Sequence, residues 1–167
     1  MNPSEGLKRL LHSRLNHYLH LFEQTMTTQI GEFEDLALEL GITTFPTNMT
    51  SVHVIDCIGK NEPINNTAIA EKLNMSKANI TKISTKLLKE GCIKRSQMND
   101  NKKEVYFSLS SKGRQIFEVH HMMHEAIEHR FISVLDSFSE SELQASLKFL
   151  QALIDQMDNI VKGDKRG

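Results

Sequence analysis

The sequence has no Trp, and Phe and Tyr together make up only 6% of its 167 residues. With 39% hydrophobic residues overall, the chain has enough apolar side chains for a modest core only. Long amphipathic helices that complete their burial against a partner chain suit such a composition. No apolar run approaches the ~18 residues that a membrane helix requires, so no membrane partner is predicted.

Cysteine is also scarce, since Cys57 and Cys92 are the two in the sequence. Two cysteines are too few for a disulfide framework. At the N-terminus, Glu5, Lys8 and Arg9 interrupt any apolar region, so the start is not a secretory signal. We therefore expect a cytoplasmic protein that forms one compact domain, or a small domain with additional helices.

The chain lacks the short motifs that most enzymes carry. It contains no Gly-rich phosphate loop, no nucleophile elbow and no paired carboxylates in an apolar setting. The sequence therefore predicts that the protein is not an enzyme.

Charge is distributed unevenly, although the net charge is only −1. Between Lys72 and Lys103 there are nine basic and two acidic residues, a local charge of +7, which leaves −8 for the rest of the chain. A localised basic region on a nearly neutral protein is typical of a polyanion-binding surface. A solvated face of a Lys-rich helix would give the same composition.

The basic region contains two helical segments joined by a short turn. Asn66 is expected to cap TAIAEKL, Asn74 tolerates a left-handed conformation, Ser76 is a good N-cap for KANITKISTKLLKEG, and Gly91 ends that helix. The second helix has one apolar face and one polar, basic face. This pattern predicts a helix-turn-helix, a motif that places its second helix in the major groove of DNA.

A hairpin is predicted immediately after this motif. CIKRSQ and EVYFSL are strand-like, and Val105, Phe107 and Leu109 alternate with polar positions. The turn between the strands places Lys102 and Lys103 near its tip. A hairpin in this place is a wing, and its lysines would face the same DNA as the second helix.

The flanking segments are helical. Residues 7–33 have the spacing of one long amphipathic helix ending near Gly41, and a shorter helix is expected to be capped by Thr50 and to stop at Gly59. After the wing, Ser110 or Ser111 caps a helix that runs to about residue 138. The last helix begins with the capping box Ser139-x-x-Glu142 and carries a heptad-like seam.

The predicted fold is therefore mainly α: a winged helix-turn-helix with long N- and C-terminal dimerisation helices and a small β-hairpin wing. We expect residues 47–110 to form the DNA-binding domain and residues 1–41 and 111–167 to form the helical dimerisation region. The candidate DNA-binding residues are Ser76, Lys77, Asn79, Thr81, Lys82, Thr85, Lys86, Lys102 and Lys103.

The order of these elements resembles the MarR family of winged helix-turn-helix transcription regulators. The most specific parts are AEKLNMSKANITK, the KEGCIKR exit from the second helix, and the Leu109-Ser110-x-x-Gly113 step into the next helix. The resemblance implies a homodimeric, sequence-specific double-stranded DNA-binding regulator of repressor type. Its two recognition helices would bind a pseudo-palindromic operator.

Half of the eight histidines lie in HHMMHEAIEH, residues 120–129. On a helix, His120 and His124 fall ~40° and ~80° from Ile116, inside or beside the apolar stripe. His121 and His129 fall on the solvent side. A buried imidazole requires a hydrogen-bond partner or a metal, so the inward pair is either a satisfied core pair or part of a metal site.

The pair, together with His53 on the short helix, resembles the zinc-sensing branch of the MarR family. That resemblance implies a Zn(II) site formed by His53, His120, His124 and an acidic residue of the EFED stretch. The spacing does not distinguish Glu32, Glu34 and Asp35 as the acidic ligand. Glu34 is taken as the acidic ligand of the predicted site.

Other effectors remain open at this point. A MarR-type regulator could respond to a small aromatic or lipophilic ligand, or to oxidation, although Cys57 lies among apolar residues and is expected in the core. A metal-binding or interaction protein that does not bind DNA is a further alternative. Such a protein would not need a basic second helix and a basic wing together.

Overall fold

The computed structural model describes residues 3–26, 28–97 and 103–164. Within these ranges the chain forms seven α-helices and three short β-strands, as expected for the predicted mainly α winged-helix fold. The helices are α1 Pro3–Met26, α2 Gln29–Glu39, α3 Met49–Asn61, α4 Asn66–Leu73, α5 Lys77–Lys89, α6 Ser111–Leu135 and α7 Glu140–Asp164. The strands are β1 Ile64–Asn65, β2 Ile93–Ser96 and β3 Tyr106–Leu109. No helix in the described ranges is long and apolar enough to cross a membrane.

The chain divides into two compact units, Met1–His124 and Glu125–Gly167. The first unit holds the hydrophobic core, whose fully buried large side chains include Phe33, Val52, Val54, Ile55, Ile58, Ile69, Ile80, Leu87, Ile116 and Val119. In the described part of the second unit no residue is buried. The apolar side chains of α7 therefore lie at its surface.

The three strands form one antiparallel sheet in the order β1-β3-β2. Ile93 pairs with Leu109 and Arg95 pairs with Phe107. Phe107 and Leu109 are buried and alternate with half-buried neighbours, which confirms the period-two pattern of the predicted hairpin. Strand β1 was not predicted, because two residues are too short to show a period and are ordered only by pairing with β3.

The prediction of one long helix over residues 7–33 is wrong: α1 ends at Met26 and α2 begins at Gln29. The hydroxyls of Thr25 and Thr28 each donate a 2.8 Å hydrogen bond to the carbonyl oxygen three residues earlier. The backbone N–H of Thr28 likewise donates to Thr25 at 3.0 Å, a tighter turn than the α-helical one. Threonine hydroxyls that bond nearby carbonyls compete with the regular helix ladder, and apolar spacing alone does not show this competition.

Three predicted boundaries of α3 and α4 are also wrong. Asn48, not Thr50, caps α3, and its side chain accepts from the N–H of Ser51 at 2.9 Å. Asn65 rather than Asn66 caps α4. Gly59 does not stop α3, which continues to Asn61. A Cβ at position 59 would lie 2.5 Å from the ring of Phe117. This glycine therefore permits close packing of α3 against α6.

Candidate nucleic-acid interface

The turn between α4 and α5 has the predicted geometry. Asn74 adopts the left-handed conformation with φ 51° and ψ 45°. Ser76 caps α5, and its hydroxyl oxygen accepts from the N–H of Asn79 at 3.2 Å. These local interactions fix the angle at which α5 leaves the turn, so both predictions for this motif are confirmed.

Helix α5 has two distinct faces. Ile80, Ser84 and Leu87 are buried, and they hold the helix against the core. The capping Ser76 is exposed, and so is every α5 position predicted to contact DNA: Lys77, Asn79, Thr81, Lys82, Thr85 and Lys86. The exposed face is basic and hydrogen-bonding along its whole length, which is the chemistry of a recognition helix.

A small hydrogen-bond network joins α5 to the start of α4. The buried Ser84 hydroxyl donates to Asn66 Oδ1 at 3.1 Å, and Asn66 Nδ2 donates to Thr81 Oγ1 at 3.4 Å. From the sequence, Asn66 was expected only to cap a helix. Thr81 and Ser84 lie 15 and 18 positions after Asn66 along the chain, so no local sequence pattern could have revealed the network.

The base of the wing lies beside the N-terminus of α5. A groove of about 270 Å³ is lined by Asn65, Asn66, Thr67, Lys77, Lys103, Glu104 and Val105. Glu104 is fixed there by hydrogen bonds from Asn65 Nδ2 and the Tyr106 hydroxyl, each 2.9 Å long. The structure thus brings the predicted Lys77 and Lys103 to the same groove, whereas the predicted Lys102 lies outside the described residues.

Glu62 connects three elements behind the interface. Its carboxylate accepts a 2.7 Å hydrogen bond from the backbone N–H of Leu109, at the end of β3. The other carboxylate oxygen accepts from the Arg114 guanidinium on α6. Glu62 follows α3 directly, so one side chain holds the ends of α3 and β3 and the start of α6 together. The spacing of these residues along the chain does not indicate this contact.

His120 and His124 of α6 form part of a cluster in the first compact unit. His120 is 3% exposed, as predicted, and its Nε2 lies 3.0 Å from Nε2 of His124. The ring of His53 on α3 is 5.4 Å from the ring of His120, centroid to centroid. The structure therefore brings these three predicted residues to one place. In the single chain, however, His53 and His124 are exposed, so the inward position predicted for His124 is not a buried one.

Asp56 is a member of the cluster that the sequence analysis missed. Its Oδ1 lies 3.2 Å from Nδ1 of His120, and its Oδ2 accepts a 2.7 Å hydrogen bond from Lys60. Burial lowers the pKa of His120, and the Asp56 carboxylate opposes that shift. Asp56 follows His53 by three residues on a helix, which places the two on one face. That spacing could have identified it.

The complete predicted ligand set is not assembled. Glu34 is half-buried on α2. Within residues 3–26, 28–97 and 103–164, no group of three or more His, Cys, Asp or Glu side chains is placed to hold a metal ion. The two Nε2 atoms of His120 and His124 nevertheless converge, and tetrahedral zinc holds two imidazole nitrogens about 3.3 Å apart. These residues therefore fit two positions of a zinc site, and an Asp56 carboxylate behind His120 is the usual outer partner of such a histidine.

Both cysteines are buried and free, in agreement with the expectation that Cys57 is a core residue. Burial raises the pKa of each thiol. Thiolate is the reactive form. The environment of Cys57 and Cys92 is thus that of inert core thiols.

Comparison with known proteins agrees with this architecture. The MarR family model matches residues 47–105. The HTH-type transcriptional regulator PchR of Bacillus subtilis is 50% identical over 155 residues, which cover 93% of this chain and 92% of that protein.

Solved structures share the fold. A zinc-responsive MarR family member, ZitR of Lactococcus lactis, has a TM-score of 0.72 and 24% identity, covering 88% of this chain and 99% of that one. The zinc-dependent MarR family regulator AdcR in its Zn(II)-bound state has a TM-score of 0.59 and 28% identity, covering 69% of this chain and 77% of that one. Because a relative 50% identical matches 93% of this chain and the fold is shared, this chain belongs to the MarR family and is a winged helix-turn-helix transcriptional regulator rather than an enzyme.

Proposed function

We propose that this chain acts as a repressor-type regulator whose dimer places two α5 helices in the major groove of a pseudo-palindromic operator. The exposed, basic face of α5 opposite its buried Ile80, Ser84 and Leu87 is the observation that carries this proposal. Regulators of this family bind DNA as dimers. In a dimer, half-sites would be spaced by about one helical turn, ~10 base pairs.

The proposal divides the contacts by chemistry. Lys77, Lys82 and Lys86 bind phosphates, because ammonium groups act there as point charges. Ser76, Asn79, Thr81 and Thr85 carry the hydrogen-bonding groups that recognise base edges. Lys102 and Lys103 of the wing contact the backbone or the minor groove beside the helix. Residues 47–110 then form the DNA-binding domain, and residues 1–41 and 111–167 serve dimerisation.

Large apolar side chains at the surface support a homodimer. Helix α1 exposes Leu7, Leu10, Leu11, Tyr18, Leu19, Leu21, Phe22 and Met26, and α7 exposes Leu147, Phe149, Leu150, Ile154, Met157, Ile160 and Val161. Monomeric proteins rarely present contiguous apolar surfaces of this extent to water. A second copy of the chain would bury them.

Titration of DNA binding against salt tests this function. A dimer that makes 6–10 phosphate contacts loses about 10³–10⁵ in affinity between 50 and 200 mM salt. Gel shifts with duplexes selected from a random pool give both the operator and the salt slope. Binding that is insensitive to salt, or that shows no sequence preference, would contradict the proposal.

We further propose Zn(II) as the effector, bound by His53, His120 and His124 with an acidic ligand such as Glu34. Convergence of His120 and His124 supports the proposal, and so does the likeness to AdcR, described as zinc-dependent and Zn(II)-bound. Zinc would supply a fixed cross-link between α3 and α6. Asp56, which lies against Nδ1 of His120, directs the other ring nitrogen towards His124.

A site on α3 and α6 lies close to the elements that support α5 and the wing, so metal occupancy would alter the spacing of the recognition helices. Coupling between metal and DNA binding of ~1–3 kcal/mol is typical of such linkage. Metal analysis of protein purified without a His-tag, followed by DNA titrations with and without added zinc, tests the proposal. Absence of both bound zinc and a zinc-dependent affinity would refute it. Because the regulator acts on chromosomal DNA, we also propose that it works in the cytoplasm.

A further inference from the structure

The exposed face of α5 carries two threonines whose hydroxyl protons are already engaged. Thr81 Oγ1 donates to the carbonyl oxygen of Lys77 at 2.9 Å, and Thr85 Oγ1 donates to the carbonyl oxygen of Thr81 at 2.7 Å. Both side chains are exposed and stand one helical turn apart. They therefore present adjacent oxygen atoms to the same stretch of solvent.

The hydrogen-bonding capacity of these hydroxyls can be counted. A threonine hydroxyl has one proton to donate and two lone pairs that accept. At Thr81 the proton is used by Lys77, and one lone pair accepts from Asn66 Nδ2 at 3.4 Å. One lone pair remains at Thr81, and two remain at Thr85. Neither residue has a proton left for an external acceptor.

Asn66 is held in the orientation that this arrangement needs. Its Oδ1 accepts a 3.1 Å hydrogen bond from Ser84, which is 1% exposed and so has little freedom to move. The amide nitrogen then points to Thr81. A donor directed at Thr81 Oγ1 keeps the Thr81 proton turned away from Asn66 and towards the Lys77 carbonyl.

We propose that Thr81 and Thr85 are acceptor-only specificity determinants that recognise an exocyclic amine, adenine N6 or cytosine N4, in the major groove, and that Asn66 is the positioning residue that sets this polarity. These amines are the hydrogen-bond donors that base pairs display in the major groove. Guanine O6 and N7 and thymine O4 are acceptors, and they cannot pair with an oxygen that has no proton to give. The inference rests on DNA binding by α5.

The first step of the experiment is to select the preferred duplex with the wild-type dimer. Single amines are then deleted in that duplex: purine replaces adenine to remove N6, and pyrimidin-2-one replaces cytosine to remove N4. Wild-type affinity is expected to fall about five- to tenfold at the contacted positions, the lower range for loss of one base contact. The two analogues distinguish the adenine and cytosine sources of the amine.

Variants assign each contact to a residue. Thr81→Val keeps the shape of the side chain but removes its oxygen. This variant should therefore bind the parent duplex and the duplex that lacks the amine contacted by Thr81 with equal affinity. Thr85→Val should do the same at a neighbouring base. Thr81→Ser keeps the hydroxyl and should retain the wild-type profile. Because positions 81 and 85 are both exposed, thermal unfolding of all three variants should match that of the wild type.

Asn66 is tested through a double-variant cycle. Asn66→Ala does not orphan Ser84, whose hydroxyl also lies 3.2 Å from the carbonyl oxygen of Thr81 and can donate there. The variant should weaken discrimination at the Thr81 base in the wild-type background and have no further effect in the Thr81→Val background. An equal loss in both backgrounds would show that Asn66 does not act through Thr81.

The outcomes separate the inference from the function on which it rests. One outcome would overturn the inference and leave the proposed function intact. In it, the wild type binds DNA selectively and with salt dependence, but neither Thr81→Val nor Thr85→Val abolishes an effect of amine deletion. A second outcome would overturn it too: the wild type loses affinity when uracil replaces thymine, and Thr81→Ser does not. The contact between the methyl groups of Thr81 and thymine would then be the recognised feature. Failure of the wild type to select any duplex would overturn both.

Discussion

Gly113, in the first turn of α6, packs directly against the backbone carbonyl of Cys92, and a Cβ at position 113 would overlap that oxygen. The same carbonyl accepts a hydrogen bond from the N–H of Ser110 at 3.1 Å. Ser110 also caps the helix by accepting from the N–H of Gly113 at 3.0 Å. The Leu109-Ser110-x-x-Gly113 step is therefore the point at which the wing, the exit from α5 and α6 are joined.

Gly113→Ala should accordingly destabilise the protein by about 3 kcal/mol, since a backbone carbonyl cannot move aside as a flexible side chain would. Urea unfolding followed by circular dichroism measures the loss. Gly163→Ala is the matched control, because nothing lies within 4 Å of a Cβ at that helical position, and it should be neutral or slightly stabilising. Equal behaviour of the two variants would contradict the packing argument.

Lys82→Ala should weaken DNA binding by a similar factor on every duplex and reduce the slope of log affinity against log salt by about two, one for each subunit of the dimer. The side chain is exposed on α5, where it is proposed to bind a phosphate. Lys148→Ala removes an equally exposed charge from α7 and should leave the slope unchanged. A change in base preference for Lys82→Ala would instead assign it a base contact.

Replacing Leu147 and Ile154 together by Asp should convert the dimer into a monomer. Their side chains are 68% and 53% exposed in the single chain, and charges there would be desolvated in an interface. Analytical ultracentrifugation at micromolar concentration gives the mass. Lys148→Asp introduces a carboxylate at an exposed polar position of the same helix and should preserve the dimer. A wild type that is itself a folded monomer would refute homodimerisation.

His120→Ala and His124→Ala should each abolish zinc-dependent DNA affinity while the dimer stays folded. The reason is that their Nε2 atoms, 3.0 Å apart, are proposed to bind one ion. His121→Ala and His129→Ala change exposed histidines of the same helix and serve as controls. Titration of DNA binding in buffered zinc provides the measurement. If all four variants respond alike, His120 and His124 form a hydrogen-bonded pair and the effector is a different species.

Cys57 and Cys92 should resist thiol reagents in the folded protein, because both are buried and burial raises the pKa of each thiol. The raised pKa leaves little thiolate near neutral pH. Above about pH 8.5 the unfolded chain loses its thiol protons first, so stability should decline as the pH rises further. Absorbance assays with a disulfide reagent, before and after addition of denaturant, check the prediction. Rapid labelling of the folded protein would favour an oxidation response.

Local sequence was sufficient for the elements whose interactions are local. The Ser76 cap, the left-handed Asn74 and the alternation of Phe107 and Leu109 depend on residues within four positions of one another, and all three are confirmed. The exposed face of α5 also followed from its period, because a helix repeats every 3.6 residues whatever surrounds it. The resemblance to the MarR family rested on short motifs of the same kind.

Contacts between residues that are distant along the chain depend on how the helices and strands pack together. Asn66 meets Thr81 and Ser84, and Glu62 meets Arg114, because α4, α5 and α6 fold onto one core and not because of any spacing along the chain. The histidine pattern illustrates the same limit. Helical periodicity placed His120 and His124 on one side of α6, but burial depends on what packs there: the core covers His120, while His124 remains exposed in the single chain. A helix period fixes the direction of a side chain, whereas its burial and its partners depend on packing against the other elements.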